Sequence, residues 1–140
     1  MTETTAPIPH KQIGVAVIYN ELGQILIDRR PEKGLLGGLW EFPGGKIEPN
    51  ETVEECIKRE IKEEIDIEIE VNDLLIIVDH AYTHFRVTLQ VYNCRYLSGE
   101  PRPIECEEIR WVTIDEITQF PFPKANIEII KALNNKKLDK

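Results

Sequence analysis

The chain has 140 residues, 41% hydrophobic and 30% charged, with a formal net charge of −8. That length suits one domain with one core and is too short for two, and no run of 18 apolar residues is present to span a membrane. An acidic balance of this size repels nucleic acid and anionic lipid unless divalent cations intervene, although acidity also serves plain solubility.

Met1 to Lys11 is polar, carries Pro7 and Pro9, and lacks the apolar stretch of a signal peptide. Residues 1–10 are therefore expected as a flexible tail, residues 11–140 as a single domain, and the cytoplasm as its location. Ile13 to Tyr19 is a continuous apolar run of strand type. Asn20-Glu21-Leu22-Gly23 supplies turn chemistry, and Gln24 to Asp28 follows as a second strand, which predicts a hairpin. Residues 31–45 form a glycine-rich loop around a short strand, Leu39 to Phe42. Thr52 to Ile65 is the clearest helix: Thr52 and Glu55 have capping-box spacing, acidic residues fill the first turn, and no Gly or Pro interrupts it. Ile67 to Val71 alternates as a strand, Leu74 to Val78 is a second apolar run, and Val87 to Tyr96 alternates again. Ile109 to Ile114 reads as a further strand, and Lys124 to Leu133 has helical periodicity. The pattern predicts an α/β or α+β fold, a mixed sheet with helices against it. Cys56, Cys94 and Cys106 are odd in number, widely spaced and without a CxxC pair, so they read as buried or half-buried thiols.

The helix at 52–65 carries the chemistry. At 100° per residue, Val53, Cys56, Ile57, Ile61 and Ile65 form one apolar stripe. Glu60 and Glu64 project from the middle of that stripe, and Glu63 lies at its edge. Carboxylates facing a core are costly unless compensated, and Arg59 can pair with only part of this charge. A divalent cation would compensate several together, and oxygen ligands suit magnesium or manganese. The competing reading is a solvated acidic face on an ordinary amphipathic helix.

The spacing adds a second signal. Gly45, five residues, Glu51, seven residues, then Arg59-Glu60-Ile61-Lys62-Glu63-Glu64-Ile65-Asp66-Ile67 resembles the Nudix box, G-x5-E-x7-R-E-U-x-E-E-x-G-U with U apolar. Only Asp66 departs, standing where the family has Gly. Trp40 to Glu48 (WEFPGGKIE), Arg29-Arg30 and Phe120 to Asn126 (FPFPKAN) are similar to segments of MutT-type 8-oxo-dGTP diphosphatases. The likeness covers roughly residues 11–133. Gly34 to Phe42 and Asp79 to Phe85 also resemble the C-terminal domain of adenine DNA glycosylases (MutY), which helps recognise 8-oxoguanine and has generally lost the catalytic glutamates. This chain keeps Glu60, Glu63 and Glu64 and has no room for a glycosylase domain.

The resemblance implies the Nudix fold and a magnesium-dependent hydrolase, with manganese as a possible substitute, acting on a small nucleotide without stable nucleic-acid binding. It places the metal on Glu60, Glu63 and Glu64 with a main-chain carbonyl of Gly44 or Gly45. Arg59 would orient the carboxylates, Glu51 would support the helix start, and Glu105, with Glu107 second, would supply a carboxylate from outside the box. Arg30, with Arg29 as the alternative, would bind phosphate through its forked donors. Glu41 and Phe42 would line the substrate site, and Asn126 would read a purine edge or else cap a helix. His80 and His84 read as loop residues near the base or as structural. The implied substrate is 8-oxo-dGTP, with CTP derivatives behind it. A non-catalytic 8-oxoguanine reader and an interaction module on the same fold are the other readings.

Overall fold

The computed structural model of the chain describes residues 8–138. In chain order these form β1 (His10–Tyr19), β2 (Ile25–Arg29), β3 (Trp40–Glu41), β4 (Gly44–Lys46), α1 (Val53–Ile65), β5 (Glu68–Ala81), β6 (Arg86–Ser98), β7 (Glu108–Val112), α2 (Ile114–Ile117) and α3 (Lys124–Leu138). Of the segment expected as a tail, residues 1–7 lie outside the described residues, and His10 already belongs to β1.

One mixed sheet organises the chain. Its main path runs β3-β2-β1-β6-β5, with β4 pairing β1 and β7 pairing β2. The predicted hairpin joins β1 and β2 antiparallel with Tyr19 opposite Ile25, whereas β1 and β6 lie parallel from His10/Arg86 to Tyr19/Arg95. The two apolar runs expected as separate strands are one long strand, β5, with register shifts around Asn72 and Asp73 where it meets β6. An irregularity of this kind bends a strand without ending it.

Helices cover both faces, so the expected sandwich is present. On one face Ile57, Ile61 and Ile65 of α1 pack on Ala16, Ile18 and Leu26. On the other, Ile129, Ile130 and Leu133 of α3 join Val15, Val17, Phe42 and Val91 in the larger core. Each alternate residue of the buried strands β1 and β2 faces one layer or the other, which is why they read as continuous apolar runs. The strand expected to run to Ile114 stops at Val112, because Thr113 and Glu116 form a capping box that starts α2. Among the described residues no helix is long and apolar enough to cross a membrane.

Candidate active site

Helix α1 begins as its sequence indicates. Thr52 accepts from the Glu55 N–H while the Glu55 carboxylate accepts from the Thr52 N–H, at 3.1 and 2.8 Å. The helix ends on Asp66, which takes the left-handed conformation (φ 64°, ψ 42°) and donates its N–H back to the carbonyls of Ile61 and Lys62. Asp thus fills the position the box reserves for Gly, as a short polar side chain can.

Arg59 gathers the first part of the box. Its Nε and Nη2 donate to the two Glu51 oxygens at 2.6 and 2.9 Å, Nη1 donates to Glu60 at 2.8 Å and Glu63 at 3.3 Å, and Nη2 also reaches the Lys46 carbonyl at 3.2 Å. This forked pairing, with a further bond to the Glu48 N–H, holds the Glu51 carboxyl down at about 2. Glu51 therefore braces the loop before the helix. Glu60 lies in the same group, its side chain only 14% exposed, and packs against Gly45. Gly45 and Lys46 offer their carbonyls to the Cys56 thiol at 3.5 Å, tying β4 to α1.

Glu64, one turn after Glu60, faces inward. Burial pushes its carboxyl up to about 9, and the charges of Glu60, Glu41 and Glu105 push the same way. It lines two adjoining cavities. The smaller, about 160 Å³, is walled by Asp28, Arg30, Glu41, Glu64, Glu105 and Cys106. The larger, about 400 Å³, shares Arg30, Glu41 and Glu64 with it and continues along Gly44, Gly45, Phe42 and Asn126. Its far wall is apolar and aromatic: Ile13, Val15, Val87 and Leu89 from the sheet, with Tyr82 stacked on Phe85 at 4.8 Å.

Most of the expected residues are brought together here. Arg30 pairs with Glu41 at 2.9 Å and donates from Nε to the Leu35 carbonyl at 2.9 Å. Arg29 points elsewhere, toward Glu32 and Glu108, so of the two arginines only Arg30 reaches the cavities. Phe42 is buried, stacks on Phe122 at 5.5 Å, and gives its N–H to Asn126 Oδ1 at 3.2 Å. Asn126 is the third residue of α3 and so lies beyond the cap position. Glu60 and Arg59 sit behind the cavity walls, Glu60 against Gly45, and Glu63 stands further apart, its side chain 52% exposed; none of the three lines either cavity. Glu105 lines the smaller cavity, and Glu107 does not. His80 makes an edge contact with Tyr82 at 4.4 Å, and neither His80 nor His84 lines the cavities.

Three participants were not anticipated. Asp28 is 3% exposed, and burial followed by the neighbouring Glu41 pushes its carboxyl well above the usual range. The signal was a lone carboxylate closing the apolar run of β2, a residue type seldom fully buried without a purpose. Tyr82 and Lys11 also line the larger cavity, with the Tyr82 hydroxyl accepting from the Ala125 N–H at 3.0 Å.

Among the described residues no three carboxylate, imidazole or thiol groups form a closed cation cage. The donors nevertheless fit a hard divalent cation. They are all oxygens, they converge on Glu64, whose carboxyl is pushed up by desolvation and by the charges of Glu60, Glu41 and Glu105, and Gly45 leaves room for Glu60 that a Cβ, 2.2 Å from the Glu60 carboxyl carbon, would fill.

Residues 14–132 match the family model described as the NUDIX domain. An 8-oxo-dGTP diphosphatase of Escherichia coli is 33% identical over 122 residues, 87% of this chain and 95% of the relative. A CTP pyrophosphohydrolase of the same organism is 30% identical over 118 residues, 84% and 87% of the two chains. The crystal structure of a MutT protein from Methanosarcina mazei superposes with a TM-score of 0.85 at 26% identity, covering 95% of this chain and 99% of that one.

Proposed function

The chain belongs to the NUDIX family as a hydrolase of MutT type, and from that premise we propose that it cleaves 8-oxo-dGTP to the monophosphate and pyrophosphate in the cytoplasm. The observation that carries this reading is the pair of adjoining cavities. A carboxylate-lined chamber and an apolar, aromatic chamber share Arg30, Glu41 and Glu64. The first suits a diphosphate with its countercharge and the second a nucleobase.

Glu60, Glu64 and a main-chain carbonyl of Gly44 or Gly45 would hold magnesium, with manganese as a substitute, Glu63 would join them from its more exposed place on the same helix, and Glu105 would complete the set from the facing segment. When bound, the cation screens phosphate charge and polarises the phosphorus–oxygen bond. Arg59 keeps Glu60 and Glu51 fixed before substrate arrives. Arg30 leaves Glu41 in part to pair with phosphate. Water adds to one phosphorus of the bridge between the α- and β-phosphates, the bridging bond breaks, and a carboxylate of the chamber, Glu105 or Glu64, takes the proton. Phe42, Tyr82 and the apolar wall take the base, and Asn126 reads its edge. With a net charge of −8, a free nucleotide is favoured over duplex DNA.

CTP is the second reading, supported by the CTP pyrophosphohydrolase relative. The test is pyrophosphate release from 8-oxo-dGTP, dGTP and CTP with magnesium. The highest kcat/KM should be found for 8-oxo-dGTP. Highest efficiency on CTP would favour the second reading.

A further inference from the structure

Asp66 occupies a position where the box asks only for a turn, and glycine would make that turn at lower cost. Its side chain is nonetheless engaged. The carboxylate pairs with Arg102 and, at 3.1 Å, with Lys62. Arg102 belongs to a segment lying across the end of α1. Its own N–H donates to the Ile65 carbonyl at 2.9 Å, and the Ile104 N–H donates to the Glu64 carbonyl at 3.1 Å. These are last-turn carbonyls that a helix leaves without internal partners. The residue that follows Ile104 is Glu105, which faces Glu64 in the smaller chamber. The helix end that carries Glu64 and the segment that carries Glu105 are therefore bound together by two backbone hydrogen bonds and one ion pair. Neither Asp66 nor Arg102 lines either chamber.

We propose that the Asp66–Arg102 ion pair is a positioning latch that holds segment 100–105 on the end of α1 and so sets Glu105 against Glu64. The inference rests on the reading of Glu64 and Glu105 as the working carboxylates. A glycine at 66 would cap the helix equally well but would leave Arg102 no carboxylate at that point. The Arg102 side chain is 64% exposed, so salt screens the latch.

Two readouts test it, using Asp66→Asn, Arg102→Gln and Arg102→Lys. Asn tolerates the left-handed conformation and removes only the charge. The first readout needs no nucleotide or metal: amide hydrogen exchange at Arg102 and Ile104. At low salt, Asp66→Asn and Arg102→Gln should each exchange about fivefold faster there, while Arg102→Lys stays near wild type. The difference should close in about 1 M salt, where the screening length falls to about 3 Å. The second readout is pyrophosphate release. Asp66→Asn should lower kcat about fivefold with KM little changed, and should cost nothing further when Glu105 is already Gln. Unchanged exchange at both amides overturns the latch, as does an equal loss of kcat in the Glu105→Gln background. A wild-type chain inactive on every nucleotide would instead overturn the proposed function, with the exchange rates still deciding the latch.

Discussion

The N–H of Phe42 donates to Asn126 Oδ1 at 3.2 Å, joining residues 84 positions apart in sequence. Phe42 follows β3, Asn126 sits in the first turn of α3, and both line the larger cavity. The bond fixes which way the amide faces. It uses one of the two lone pairs on the carbonyl oxygen and leaves the other, with the amide hydrogens, for a ligand edge.

Asn126 should accordingly set the preference for an oxidised purine. Guanine presents an acceptor at N7, whereas 8-oxoguanine presents a donor, so a fixed carbonyl favours the oxidised base. Buried polar groups left unpaired cost about 1–3 kcal/mol each, enough for a preference of about 10³-fold from two mismatches. In Asn126→Ala the ratio of kcat/KM for 8-oxo-dGTP over dGTP should collapse, while kcat changes far less. An unchanged ratio would remove Asn126 from base recognition.

The stability of the metal-free chain should fall as pH rises. The Glu64 carboxyl sits at about 9 in the folded chain against an ordinary 4.5, first through burial and then through Glu60, Glu41 and Glu105. Between those values the folded state keeps a proton that the unfolded state has lost. This contribution is complete below 4.5 and gone above 9. With a chelator present, the thermal midpoint should drop from about pH 5.5 to about pH 8.5. Glu64→Gln should flatten that slope. Magnesium should raise the midpoint more at the alkaline end, where the carboxylates it needs are cheaper to ionise. A midpoint that rises with pH in chelator would contradict the assignment.

Two adjacent glycines should respond differently to a methyl group. At Gly45 a Cβ would fall 2.2 Å from the Glu60 carboxyl carbon, the far end of a movable side chain. At Gly44 it would fall 2.1 Å from the Gly14 carbonyl oxygen, which is backbone. Gly45→Ala should therefore fold nearly as well as wild type yet lose activity, up to about 10²-fold for a displacement near 1 Å. Gly44→Ala should lose stability by about 1–3 kcal/mol or more, as β1 and β4 are forced apart. Thermal midpoints and kcat for both variants check this. Full activity in Gly45→Ala would remove Glu60 from the site.

What was legible in the sequence follows from which interactions are local. The capping box at Thr52 and Glu55 is a four-residue signal, and the helix starts there. Thr113 and Glu116 carry the same signal, but the apolar run Ile109 to Ile114 masks it by reading as one strand. Asn72 and Asp73 look like a break between strands because periodicity cannot tell a register shift from an end. Glu60 and Glu64 are legible through their wrong-face placement on α1, whereas Glu63, on the exposed edge, is legible only through the spacing of the box. Asp28 is not, because only the sheet sets it against Glu41, its partner in the β2–β3 register. Tyr82 and Lys11 escaped for a similar reason. Lys11 lies on β1 and Tyr82 in the turn between β5 and β6, and the parallel pairing of β1 with β6, which no local pattern specifies, brings that turn to the same end of the sheet. The choice of Arg30 over Arg29 also needed the fold, since Arg29 ends β2 and turns to Glu32 and Glu108, whereas Arg30, just past the strand, turns to Glu41.

On the proposed function, the inward-facing carboxylates of α1 drive hydrolysis of a nucleotide diphosphate linkage with a divalent cation. The most direct test is steady-state pyrophosphate release by wild type and Glu64→Gln, with magnesium and with excess chelator. Glu64→Gln keeps the shape of the side chain and removes its charge. Wild type should work only with the cation, and the variant should turn over at least ~100-fold more slowly, the scale of one strong electrostatic contribution. Wild-type-like turnover by the variant, or full activity in chelator, would contradict it.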